Sequence, residues 1–322
     1  MISECVAPQP GGSAGGRYRP VHRRPNRTGT GSEAGRSQLL RVGESLVQTA
    51  GRLSDEHIAD ARIEAEVLVR HVLDMERPEF FAALDERLTT HQRRRLSSLV
   101  RRRLDAEPLS YILGAREFYG LKLVVNPKVL IPRQETELLV DMALEHCSTR
   151  RAGEGLHIAD VGTGSGAVAI AIAVNLPQAT VHATDASQNA LAVADVNRRR
   201  HGVSHRVHLY EGDLLEPINH PVDVIVSNPP YIKTGEIDSL APEVRQEPLW
   251  ALDGGTDGLE LTGRLIRRAP EYVRPGGHIL VEIAPEQLAR VSQLAREAFP
   301  RGRVSFAKDL LGLPRVVAVE LN

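Results

Sequence analysis

Cysteine is almost missing from this chain. Its 322 residues carry two, Cys5 and Cys147. They lie far apart and fit neither a zinc-binding nor a redox spacing, so reduced thiols are expected and no metal-ligand set is identified. Net charge is nearly absent too, at −1, which removes any global pull toward nucleic acid. Long apolar runs are also missing: the longest, residues 167–174, is far too short to span a bilayer. The N-terminal stretch lacks the apolar core of a signal peptide. Together these absences lead to the expectation of a cytoplasmic protein without a membrane partner. What is present, 42% hydrophobic and 25% charged residues, suits a soluble globular chain of one large or two ordinary domains.

Residues 1–36 are rich in Gly, Pro, Ser and Arg without apolar periodicity. Such a segment cannot bury enough surface to offset its ordering entropy, so a disordered basic tail is expected. Residues 37–106 read as a small helical bundle. Leu39, Leu40, Leu46 and Val47 suggest a first helix closing near Gly51. Ser54 is placed to cap a second, in which Ile58, Ala61, Ala65, Leu68 and Val72 share a face. Pro78 opens a third, and Thr90 caps a fourth with Leu96, Leu99, Val100 and Leu104 apolar. The triplets Arg93-Arg94-Arg95 and Arg101-Arg102-Arg103 read either as a solvated helix face or as a docking face for an acidic protein or a nucleoprotein partner. Residues 107–134 form a linker read as a β-hairpin. It runs from Tyr111-Ile112-Leu113-Gly114 through Glu117-Phe118-Tyr119 and turns near Gly120. Phe118 and Tyr119 are read as core rings, with a wall of a site as the other option.

Residues 135–322 alternate. A helix is expected from Glu135-Thr136-Glu137 to about His146, then strands over 156–161, 180–185, 206–211, 222–226, 277–283, 302–307 and 315–321. Helices fall between them at 167–175, 189–201, 259–273 and 285–299. That order implies a mainly parallel, doubly wound sheet. The short connection over 308–315 suits a hairpin, so the last strand is expected to run antiparallel.

Two turns carry chemistry. Gly162-Thr163-Gly164-Ser165-Gly166 follows the first strand of the sheet and opens a helix. This is a nucleotide-type turn in which glycines permit a tight bend and close approach of a ligand. Asp185, ending the second strand, is placed to accept hydrogen bonds from ribose hydroxyls. Leu214 offers an apolar face to an adenine. The same glycines satisfy a dinucleotide fingerprint, so this turn alone permits a nicotinamide oxidoreductase. The second turn, Asn228-Pro229-Pro230-Tyr231, follows the apolar strand over 222–226. Two prolines stiffen it and hold Asn228 extended. The Asn228 side-chain oxygen and the Pro229 carbonyl then make two acceptors for a planar –NH2 group, with Tyr231 as a flat face. Ligands bind at the carboxyl ends of strands where the order reverses, so the two turns are expected to face each other.

That pairing resembles amino-methyltransferases. Further stretches are similar to the release factor glutamine methyltransferase (HemK/PrmC) family: Tyr111-Ile112-Leu113-Gly114, Val129-Leu130-Ile131-Pro132-Arg133 with Glu135-Thr136-Glu137, Ala251-Leu252-Asp253-Gly254-Gly255 with Asp257-Gly258-Leu259, and Lys308-Asp309 to Arg315. Gln134 and Ala284-Pro285 depart from the family pattern. The resemblance implies an α/β fold, with a Rossmann-like, seven-stranded class I S-adenosylmethionine methyltransferase domain over 135–322. It further implies that the small N-terminal helical bundle binds release factors. It implies methyl transfer from S-adenosylmethionine to the glutamine amide of the Gly-Gly-Gln motif in class 1 peptide chain release factors. By motif position, Gly162, Thr163, Gly164, Ser165, Gly166, Asp185, Leu214 and Asn228 would hold the cofactor. Asn228, Pro229, Pro230 and Tyr231 would hold the glutamine, with Asn228, Pro229 and Tyr231 catalytic. A monomer is expected. The alternative is an adenine-N6 methyltransferase acting on nucleic acid, since the same corner accepts an exocyclic amino group. The balanced charge and the absence of a separate target-recognition domain favour a protein substrate and no direct nucleic-acid contact.

Overall fold

The computed structural model describes residues 40–148 and 155–321. The basic tail expected over 1–36, and Leu39, lie outside them. The described chain opens with helices whose apolar faces meet in one cluster around Leu53, Leu68, Phe80, Leu88 and Val100. These are α1 (Val42–Asp55), α2 (Ala61–Leu73), α3 (Arg77–Ala82), α4 (Thr90–Leu104) and the short α5 (Leu109–Leu113). Two expected boundaries move. Gly51 does not close α1 but lies inside it, with open space where a Cβ would sit; Ser54 is likewise internal, and α2 begins at Ala61. Val47 faces solvent. The cap of α4 is Thr89, one residue earlier than expected, whose hydroxyl accepts from the Gln92 N–H.

The arginine triplets are not a uniform solvated face. Arg103 is buried and pairs with Glu64 and Glu243, each at 2.6 Å. A buried charge is tolerated only when it is paired and hydrogen-bonded in this way. Arg102 pairs with Glu107 at 2.5 Å.

The linker is only partly a hairpin. Tyr111, Ile112 and Leu113 lie in α5, which Gly114 ends at φ 69°. The hairpin is shorter, β1 (Ala115–Phe118) and β2 (Leu121–Val124), around Tyr119-Gly120 at φ 50° and 71°. Phe118 is fully buried in the main core, a burial worth roughly 2–3 kcal/mol. Tyr119 instead donates its hydroxyl to Asp141 at 2.7 Å.

The remaining elements follow the expected alternation: α6 (Glu137–Ser148), β3 (Leu156–Val161), α7 (Ala167–Asn175), β4 (Ala179–Asp185), α8 (Gln188–Arg200), β5 (Val207–Glu211), β6 (Val222–Ser227), α9 (Glu260–Arg268), β7 (Val273–Glu282), α10 (Leu288–Ala298), β8 (Arg303–Lys308) and β9 (Pro314–Glu320). The sheet order is β5-β4-β3-β6-β7-β9-β8. β3, β4, β5, β6 and β7 are parallel, and β9 runs antiparallel to both neighbours. This is a seven-stranded Rossmann-like sheet with one reversed strand. β6 is buried at every residue, as a central parallel strand between two helical layers must be. One layer packs α6 and α7 against the sheet; the other packs α9 and α10. No helix among the described residues is long and apolar enough to cross a membrane. The strand order reverses between β3 and β6, and both chemical turns leave the sheet there.

Candidate active site

The turn after β3 is fixed from below. Asp160, buried at the end of the strand, accepts from the Thr163 hydroxyl at 2.7 Å and from the Ala169 N–H at 3.1 Å. Burial pushes its carboxyl up to about 6. Gly162, Gly164 and Gly166 all have positive φ, 75°, 56° and 82°, a conformation that glycine adopts without strain. Gly166 has a second reason: a Cβ there would lie 2.9 Å from Ile170 Cδ1 and 3.2 Å from Ala194 Cβ. The Gly164 N–H donates to Asp185 Oδ2 at 2.8 Å, and the Ser187 N–H donates to Oδ1 at 2.8 Å. Asp185 thus joins the end of β4 to the glycine turn. Burial raises its pKa, and the two N–H donors oppose that rise. Each of its oxygens keeps a lone pair for a further donor.

Past β5, Leu214 sits at φ 52°, uncommon for a leucine and the kind of strain that collects at functional sites. Its carbonyl accepts from the Thr184 hydroxyl at 2.7 Å, which helps to hold the backbone there. Asp213 pairs with Arg264.

The Asn228 corner is built from four separate parts of the chain. Ser227 donates its hydroxyl to the Val161 carbonyl at 2.8 Å, tying the end of β6 to the end of β3. The Asn228 Nδ2–H donates to Thr136 Oγ1 at 3.0 Å. Thr136 also hydrogen-bonds the buried Glu282 carboxyl, which favours its ionised form. The Thr136 oxygen is the acceptor in the bond from Asn228, which turns Asn228 Oδ1 the other way. Among the described residues no donor reaches Asn228 Oδ1 or the Pro229 carbonyl. Burial pushes the Glu282 carboxyl up to about 7, and its second oxygen has no hydrogen-bond partner among the described residues.

Behind the prolines lies the Asp-Gly-Gly stretch. The Gly254 N–H donates to the Ile232 carbonyl at 2.7 Å and the Ile232 N–H to the Leu252 carbonyl at 3.1 Å. A Cβ on Gly254 would lie 2.7 Å from the Pro230 carbonyl oxygen; one on Gly258 would lie 2.4 Å from that of Tyr231. Gln287 Nε2 donates to the Tyr231 and Gly258 carbonyls, both at 3.0 Å. Burial raises the Tyr231 phenol to about 12, so it stays neutral. Glu247, also buried, accepts from the Ile131 N–H at 3.0 Å and pairs with Arg133, which anchors the Ile-Pro-Arg segment.

A cavity of about 510 Å³ separates the two turns, within the range that holds a small-molecule ligand. Of the residues singled out from the sequence, Gly162, Gly164, Asp185, Leu214, Asn228, Pro229 and Pro230 line it. Thr163, Ser165 and Gly166 stand behind the lining: Thr163 bonds Asp160, the Ser165 carbonyl accepts from Asn197 at 2.9 Å, and Gly166 packs on α8. Tyr231 is also off the wall and braces the corner through its backbone. Sequence reasoning gave no role to Ser187 and Trp250, which line the cavity, nor to Thr136, Glu282 and Glu247 as supports. Thr136 had a signal in the Glu-Thr-Glu stretch; a buried acid far along the chain had none.

Comparison with known proteins gives this cavity a family. Residues 44–114 match the model for the PrmC N-terminal domain, and residues 135–247 match that for the methyltransferase small domain. The chain is 41% identical over 283 residues to the release factor glutamine methyltransferase of Geobacter sulfurreducens, covering 87% of this chain and 96% of that protein. It belongs to the release factor glutamine methyltransferase family. The family's protein from Gloeobacter violaceus is 42% identical over 279 residues, covering 84% of this chain and 96% of its own. Among solved structures, the hMettl16 catalytic domain in complex with a MAT2A 3′UTR hairpin superposes with a TM-score of 0.52 at 17% identity, covering 66% of this chain and 79% of that one. That likeness establishes the fold alone. In this member of the release factor glutamine methyltransferase family, the glycine turn and the Asn228 corner open onto one cavity.

Proposed function

We propose that this chain transfers a methyl group from S-adenosylmethionine to the side-chain amide nitrogen of the Gly-Gly-Gln glutamine in class 1 peptide chain release factors. The observation that carries the reading is the pair of open acceptors, Asn228 Oδ1 and the Pro229 carbonyl, across one cavity from the glycine turn. The residues fit the cofactor. Positive-φ glycines bare their backbone at the head of α7, Asp185 keeps lone pairs for ribose hydroxyls, and Leu214 gives an apolar surface for adenine. When bound, S-adenosylmethionine supplies a methyl group on a sulfonium, which makes a strong electrophile with a good leaving group.

The chain's own residues supply position and charge compensation. Asn228 Oδ1 and the Pro229 carbonyl accept the two N–H bonds of the glutamine amide. They hold the nitrogen's face toward the glycine turn. An amide nitrogen is a poor nucleophile, and fixing it in line is worth roughly 7–11 kcal/mol. As positive charge grows on nitrogen, both hydrogen bonds strengthen, so the transition state gains more than the ground state. The prolines keep the acceptors from relaxing, and Thr136 keeps the Asn228 amide the right way round. No general base is needed for attack; the proton leaves afterwards.

The helical bundle, over 37–106, serves in this reading as the release factor-binding domain, coupled to the catalytic part through Arg103 and Glu243. The reading carries with it a monomer in the cytoplasm and a protein rather than a nucleic-acid substrate. The test offers labelled S-adenosylmethionine with a release factor, its Gln→Ala loop variant and adenine-containing DNA. Label on the wild-type factor alone is expected. Label on DNA alone would keep methyl transfer and overturn the substrate.

A further inference from the structure

Away from the cavity, the sheet carries a cluster of imidazoles. His157 is the second residue of β3, His182 lies mid-way along β4, and His220 precedes β6. The pairing of Ala159 with His182 places His157 and His182 on the same face of the sheet. The ring centres of His157 and His182 are 5.3 Å apart, those of His157 and His220 5.0 Å, and those of His182 and His220 4.5 Å. One ring nitrogen from each of the three lies within 4.8 Å of the other two. His157 Nδ1 and His182 Nε2 are already 3.0 Å apart.

We propose that His157, His182 and His220 form a binding site for one divalent transition-metal ion, zinc in the first place. Three nitrogens around a tetrahedral ion at about 2.0–2.1 Å sit roughly 3.3–3.5 Å from one another. Side-chain adjustments of an ångström or less bring the observed trio to that spacing. The donor set decides the class of ion. Imidazole nitrogens without carboxylates or carbonyls suit zinc, copper, nickel or cobalt, and do not suit calcium or magnesium. Three protein ligands leave a fourth position for water, and His157 and His220 are only half-buried, so an ion has a way in.

Two further observations point to an occupant. His220 Nδ1 is buried without a hydrogen-bond partner among the described residues, a condition that a native fold seldom leaves uncompensated. The Tyr210 hydroxyl lies 3.3 Å from His182 Nδ1. Accepting from that nitrogen, it would fix the tautomer that leaves Nε2 free as a ligand, as outer partners of metal-bound histidines do. The nearby Arg274 is held by Asp223 at 3.0 Å, so its charge is balanced. Such an ion would clasp β3, β4 and the segment entering β6.

The test uses the full chain, stripped with a chelator and titrated with Zn²⁺ and with Co²⁺. One ion per chain is expected at this site, with a visible Co²⁺ d–d band and no thiolate charge-transfer band. Saturating Zn²⁺ should raise Tm by about 5 °C or more. His157→Asn and His220→Asn should each weaken binding on the order of 100-fold and abolish the band, as removal of a ligand does. Tyr210→Phe should weaken it about tenfold. His220 precedes its strand, so that variant keeps the test open should His157→Asn not fold. Failure of the wild type to bind tighter than about 100 μM, a retained signal in His220→Asn, or a thiolate band would overturn the proposal.

Discussion

Replacing Thr136 with valine removes one oxygen and nearly keeps the side-chain shape, so the corner should still fold, less stably by the hydrogen bond that buried Glu282 loses. The structure predicts what changes. Thr136 Oγ1 is the acceptor that holds Asn228 Nδ2. With valine there, Nδ2 would face hydrocarbon while Oδ1 faced the cavity. An unsatisfied amide N–H costs about 1–3 kcal/mol, whereas the flipped amide can give its N–H bonds to water in the cavity. The preferred orientation therefore reverses, and the open acceptor becomes a donor pointing at the substrate amide. At 1.36 kcal/mol per factor of ten, the rate should fall about 5- to 150-fold. Thr136→Ser, which keeps the oxygen, should stay within a few-fold of wild type. The assay is single-turnover methyl transfer to a release factor, beside the S-adenosylmethionine dissociation constant and a melting curve. Rate loss with cofactor binding unchanged is expected, together with a lower Tm because buried Glu282 loses a hydrogen-bond partner. A Thr136→Val enzyme within about twofold of the wild-type rate would show that Asn228 is oriented by something else.

Asn228→Ala removes the acceptor itself and should cost on the order of 100-fold or more in rate while the protein folds and still binds cofactor weakly; near-normal turnover would remove Asn228 from the reaction. Asp185→Ala should act chiefly on cofactor affinity, by roughly 10- to 100-fold, as for lost hydrogen bonds to a charged acceptor; an unchanged dissociation constant would refute the ribose role. Burial lifts Glu282 to about 7, and only its ionised form is a pure acceptor for Thr136. The rate should therefore rise with pH through about 7, and Glu282→Gln should flatten that step; a step that survives in the variant belongs to another group. The linked stability runs the other way: a carboxyl with a raised folded-state pKa contributes fully below its ordinary value near 4.5 and loses that contribution as pH climbs through about 7.

The catalytic sheet was legible because its strands are apolar runs bounded by turn residues. β3 and α7 fall where the pattern put them, and β4, β5 and β9 shift at their ends by a residue. β7 begins earlier than expected because Val273 pairs with Val222 ahead of the Pro275-Gly276 interruption. Local signals failed where tertiary packing outweighed them. Gly51 and Ser54 looked like boundaries, yet α1 runs through both while Leu53 between them is fully buried. Tyr111-Ile112-Leu113 is too short a run to tell helix from strand by period. The two turns of the site were legible as motifs, since each is contiguous. Thr136 showed only as part of the Glu-Thr-Glu stretch. Glu282 and Glu247 were not legible, because what matters in them is a contact between distant segments, and their residue type looks ordinary alone. His157, His182 and His220 escaped for the same reason.

The glycines behind the prolines set a rule for transplanting this corner. Gly254 and Gly258 approach the Pro230 and Tyr231 carbonyls closer than any side chain allows, and Gln287 pins the second of these from another element. The four-residue turn is therefore not a self-sufficient module. A protein engineer who grafts Asn-Pro-Pro-Tyr onto the end of a strand in another sheet carries over the letters without the mould that shapes them. The smallest portable unit is the turn together with the stretch from Leu252 to Gly258, Gln287, and a hydroxyl standing where Thr136 stands.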